Sequence, residues 1–142
     1  MTWKTCVLVV ANQTADSEGL VRALSARSER GPTQFTLLLP ALPGASPAQS
    51  DQRLAEALEG LRGTGLEADG EVGDSNPLTA VKETWDPAKF DEIVVSTLPT
   101  GTSKWLQIDL PHRVERITGM PVEHVVASLR QAVGYRRTAL LR

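Results

Sequence analysis

Apolar residues in this chain come in short unbroken runs, separated by stretches where they recur at helical spacing. CVLVV at 6–10 and IVV at 93–95 are continuous, as in strands covered on both faces, and Thr33–Leu39, ending in LLL, is another strand. Between them, Leu20, Ala23 and Leu24, then Leu54, Leu58 and Leu61, then Leu78, Val81 and Trp85 each predict a helix with one buried side. The punctuation agrees. Thr14 or Asp16 is the candidate cap of the first helix, which continues to about Arg27 before Gly31-Pro32 breaks the chain. Ser46-Pro47-Ala48-Gln49 starts the second with a hydroxyl cap, a first-turn proline and a reciprocal glutamine, and Gly63 or Gly65 closes it. Asn76-Pro77 starts the third and Asp86-Pro87 ends it. Residues 66–72 alternate weakly around Gly70 and predict an edge strand.

The stretch from Asp91 to Ala127 organises the rest. A strand over DEIVV leads into the hydroxyl-rich loop STLPTGTSK, then a helix with Asp109 as cap and Pro111 in its first turn. Leu110, Val114 and Ile117 share one side of that helix, Gly119 and Pro121 stop it, and Val122–Ala127 is a final strand. The order is β-α-β-α-β-α-β-α-β with helical crossovers, which predicts an α/β fold: a three-layer Rossmann-like sandwich around a right-handed, five-stranded parallel sheet. Such a sheet binds ligands beside its first strand, where strand order reverses. The first strand contributes the loop Ala11–Asp16, and Ser96–Asp109 faces it where the fourth strand is the neighbour beyond the reversal.

Bulk properties narrow the class. The chain has 142 residues, 41% hydrophobic and 23% charged, as expected of one soluble domain. One cysteine, Cys6, lies within an apolar strand and reads as a small core residue; with two distant histidines it makes no metal site. No run reaches transmembrane length and no secretory leader is visible, so the expectation is a cytoplasmic protein. Net charge is −2, yet residues 128–142 hold four arginines and no acid. That leaves residues 1–127 with 11 basic and 17 acidic side chains: an acidic domain followed by a basic C-terminal extension at 128–142. An acidic domain argues against nucleic acid as a partner.

VLVVAN at the start, VGDSNPLTAV after the third strand, DEIVVSTLP, and RVERITGMPVEHVVA near the end together resemble the universal stress protein family over roughly residues 3–127. The resemblance implies a sheet in the order 3-2-1-4-5, an adenine nucleotide alpha hydrolase-like fold, and a homodimer through the last strand. Val122, His124, Val125 and Val126 are the candidate interface, since a bare apolar edge strand is a pairing template. ATP-binding members of that family show Gly, two residues, Gly, about nine residues, then Gly and Ser/Thr after the fourth strand. Here Ser96, Pro99 and Ile108-Asp109 stand at those positions, and Ala11-Asn12 replaces the acidic residue that binders carry after the first strand. Proline has no amide to offer a phosphate, and a carboxylate at Asp109 repels one.

The resemblance therefore implies a non-enzymatic stress-response or regulatory protein of the non-ATP-binding type, without a cofactor. The alternative is an ATP or AMP binder, or slow ATPase, with a rearranged phosphate loop. In either case the candidate ligand cleft comprises Ala11, Asn12, Ser96, Thr97, Gly101, Thr102, Ser103, Lys104 and Asp109. A degenerate loop with Trp105 and Leu106 filling the cleft is the competing expectation. No residue is assigned a catalytic role; Ser103 is too far beyond the strand for a nucleophile elbow. Trp3, Trp85 and Trp105 are expected to pack in the core or at its rim.

Overall fold

The computed structural model describes residues 3–99 and 104–127. The basic extension and Gly101, Thr102 and Ser103 lie outside those residues. Five parallel strands, β1 (Thr5–Val10), β2 (Thr33–Pro40), β3 (Glu67–Gly73), β4 (Glu92–Thr97) and β5 (Val122–Val126), form one sheet in the order β3-β2-β1-β4-β5. This is the predicted topology, with β3 and β5 at the edges.

The unbroken apolar run of β1 is explained by its two buried faces. Val7 and Val9 join Phe35, Leu37 and Val94 in a core covered by α1 (Glu18–Ser28) and α2 (Pro47–Gly63). Leu8 and Val10 join Leu38, Ile93 and Val95 in a second core, covered by α3 (Pro77–Thr84) and α5 (Leu110–Thr118). Leu110 is fully buried there, and burial of such a side chain stabilises by roughly 1.5–3 kcal/mol. In register, Val7 faces Phe35, and Leu8 faces Ile93 across the reversal point. Ion pairs and caps fix the helices. Arg27 holds Glu92 through two 2.8 Å bonds, and the Ser46–Gln49 capping box forms as expected. Asn76 accepts from the amides of Leu78 and Thr79.

Five expectations need correction. Ser17, not Thr14 or Asp16, caps α1 by accepting from the Leu20 amide, because the chain makes a turn through Asn12–Ser17 before the helix begins. A short additional helix, α4 (Lys104–Gln107), interrupts the predicted loop after β4. Trp3 is 82% exposed and packs in no core, since it precedes the first paired strand residue. Ile117 is exposed although Leu110 and Val114 are buried, because the inner face of α5 has turned away by its last turn. Asp109 occupies the cap position of α5 without capping it. Its backbone is left-handed (φ 57°), the residue two places on is Pro111 with no amide to accept from, and its carboxylate instead meets His112 Nδ1 at 2.8 Å. Cys6 is half-buried beside the second core.

Candidate functional site

At the carboxyl ends of β1, β2 and β4 the loops enclose a cavity of about 370 Å³. The β1–α1 loop, the end of β2 and α2 are tied together by one amide. Asn12, immediately beyond the buried Ala11, donates from Nδ2 to the Pro40 carbonyl at 2.9 Å. Its Oδ1 accepts from Arg53 on α2 at 2.9 Å, and the same guanidinium reaches the Asn12 carbonyl at 3.2 Å. A planar donor fork suits this paired contact. Ala41 is held in turn by its amide to the Gly73 carbonyl. The loop carrying Ala41, Leu42 and Pro43 forms one wall.

The floor is a pair of hydroxyls. Thr14 Oγ1 and Ser96 Oγ lie 2.5 Å apart, both buried, and join the β1–α1 loop to the end of β4. Opposite, Trp105 leans half-buried on the second core and forms a wall with Leu98 and Ile108. It lines the cleft without filling it. Among the described lining residues, Lys104 is the one charged side chain, and it is exposed at the mouth.

Of the residues expected at the cleft, Asn12, Ser96, Thr97 and Lys104 line it. Ala11 is wholly buried behind it, and Asp109 turns away to His112, so neither is among the lining residues. Gly101, Thr102 and Ser103 fall outside the described residues. Thr14, Leu42 and Ser75 were missed; the β2–α2 and β3–α3 loops gave no signal beyond their helix caps. His124 is also more than an edge residue. Its Nε2 lies 2.7 Å from Thr97 Oγ1. Partial burial, with a smaller contribution from the nearby charge of His112, holds its pKa below the usual histidine value.

No protein-family model matches the sequence, and no curated protein matches it. Solved structures do match. A universal stress protein from Archaeoglobus fulgidus superposes with a TM-score of 0.60 at 14% identity, covering 85% of this chain and 93% of that one. The structure of the A. fulgidus protein in complex with dAMP gives 0.61 at 14%, covering 88% and 99%. A universal stress protein in complex with cAMP gives 0.59 at 23%, covering 90% and 100%. The chain is therefore an α/β protein with the universal stress protein fold, and its sheet order is the one that the sequence resemblance implied.

Proposed function

We propose that this chain is a non-enzymatic regulatory protein of the universal stress protein type, and that its cleft takes a nucleoside monophosphate rather than ATP. The observation that carries this reading is the chemistry of the lining. Among the described lining residues, hydroxyls, amides, an indole and aliphatic side chains surround one cation, Lys104. That set suits a flat base, a sugar and a single phosphate. A triphosphate needs amides close to its oxygens and usually a carboxylate-held Mg²⁺. Here the Thr14–Ser96 pair occupies the floor between β1 and β4, and the described lining residues include no carboxylate, imidazole or thiol to act as metal ligand, base or nucleophile. The cavity volume falls within the ordinary range of small-ligand sites, and two proteins of this fold are complexed with cAMP and dAMP. A homodimer through β5, a role in stress response and a cytoplasmic location complete the proposal.

The test is a thermal-shift titration with cAMP, followed through intrinsic tryptophan fluorescence and repeated on Lys104→Gln. Bound ligand must raise the midpoint. Lys104→Gln is expected to weaken binding about five- to tenfold, as for loss of one partly exposed charge-assisted contact. Midpoints unmoved by millimolar cAMP and AMP, or equal affinity in Lys104→Gln, would refute the assignment.

A further inference from the structure

Thr97 belongs to two places at once. It lines the cavity, and its hydroxyl meets His124 Nε2 on the outermost strand at 2.7 Å. The contact is fixed by the sheet. Ile93 and Val122 are register partners, Val95 faces His124, and the Ala127 amide closes the pairing on the Thr97 carbonyl at 2.8 Å. Alternation along β4 and β5 then places Thr97 and His124 on the α5 side, with Val95 and Val122. A hydroxyl can donate or accept, and an imidazole nitrogen changes from acceptor to donor when protonated.

We propose that His124 and Thr97 form a proton-controlled relay that sets whether the cleft offers an anionic ligand a hydrogen-bond acceptor or a donor. The relay rests on the monophosphate reading of the cleft. With the ring neutral and Nε2 free, Thr97 donates its proton to His124 and shows the cavity only lone pairs. Protonation at Nε2 reverses the bond. The ring then donates to Thr97 Oγ1, the Thr97 proton turns toward the cavity, and a positive charge stands one residue behind the wall. Both changes favour an anion, and by linkage a bound anion raises the affinity of His124 for its proton.

The charged surroundings set where this happens. From α5, His112 acts on His124 as a like charge, and it is itself paired with Asp109. Also from α5, Glu115 is engaged by the Val122 amide. On the strand itself, Glu123 acts on Arg27 of α1, on the opposite face. From α4, Lys104 stands at the mouth of the cavity that Thr97 lines. Burial and His112 both lower the pKa of His124, so the reversal falls at a lower pH than the titration of an ordinary histidine.

The experiment is nitrogen NMR of the His124 ring on the full chain, combined with calorimetric titration of cAMP at about pH 8 and about pH 5. Cyclic AMP is the probe because its phosphodiester keeps one negative charge across that range, whereas the AMP phosphate titrates within it. The neutral ring should carry its proton on Nδ1, and cAMP should raise the His124 pKa. Affinity should rise roughly three- to tenfold on acidification, the worth of turning a neutral contact into a charge-assisted one. His124→Gln should flatten the pH dependence, and His112→Gln should keep it with the midpoint moved upward. A neutral ring protonated on Nε2 overturns the relay, as does a pH dependence that His124→Gln leaves intact. Absence of cAMP binding at both pH values sinks the monophosphate reading instead; the ring tautomer then decides the relay by itself.

Discussion

Ser96→Ala is the substitution whose consequence follows most directly from the geometry of the floor. Ser96 is 1% exposed and Thr14 2%, and each hydroxyl is the other's partner at 2.5 Å. Removing one leaves a buried hydroxyl to find a new partner, at a cost of about 1–3 kcal/mol. The adjoining cavity admits water, which can replace part of the lost bond, so the expected loss is about 1–2 kcal/mol. For a domain of this size that corresponds to a midpoint lowered by roughly 3–6 °C. Thr14→Val removes the other member with little change of shape and should cost a similar amount. The double variant leaves no orphaned hydroxyl, so it should be less destabilised than the sum of the two singles, by about 1 kcal/mol. Urea unfolding of all four proteins at neutral pH measures this, with equal m-values required for the comparison. Additivity within about 0.3 kcal/mol, or a Ser96→Ala protein as stable as wild type, would refute the claim that this pair closes the floor.

Three further outcomes follow from other parts of the molecule. Gly73→Ala should destabilise by about 1–3 kcal/mol, read by urea unfolding, because a Cβ there would lie 2.8 Å from both Ala80 Cβ and Leu38 Cδ1. Val126→Lys should convert a dimer to a monomer in sizing experiments without loss of stability, since Val126 is 52% exposed on the edge strand; a monomeric wild type removes the dimer. Glu92 has its carboxyl pKa lowered, chiefly by its hydrogen bond to Arg27. Its contribution to stability is therefore complete above the ordinary carboxylate value and is lost as pH falls through the depressed one; acid titration of Glu92→Gln should show a shallower decline than wild type.

The framework was legible because it depends on local pattern. CVLVV reads as a strand buried on both sides, Ser46 and Asn76 start their helices with side-chain caps, and Gly119 ends α5 through its left-handed backbone. Reversal of strand order beside β1 placed the β1–α1 loop at the cleft, and the family resemblance supplied β4 as its neighbour. What escaped were side-chain pairings, most of them between residues far apart in the chain. Thr14 and Asp109 both looked like caps by residue type. Thr14 instead reaches Ser96, 82 positions away, and Asp109 adopts a left-handed backbone ahead of a proline and pairs with His112. Arg53 on α2 gave no signal either, since its partner Asn12 lies on the β1–α1 loop, 41 positions away. His124 read as an edge-strand residue because its bond to Thr97 exists only once β4 and β5 are in register. Trp105 was weighed as a plug, and the structure makes it a wall.

The direct measurement is calorimetric comparison of cAMP and ATP, with and without Mg²⁺, on the wild-type full chain at neutral pH. A cleft with one cation among its described lining residues and a hydroxyl pair across its floor should bind cAMP at least as tightly as ATP, with no gain on adding Mg²⁺. ATP held tenfold or more tightly than cAMP, and tighter still with Mg²⁺, would contradict the account.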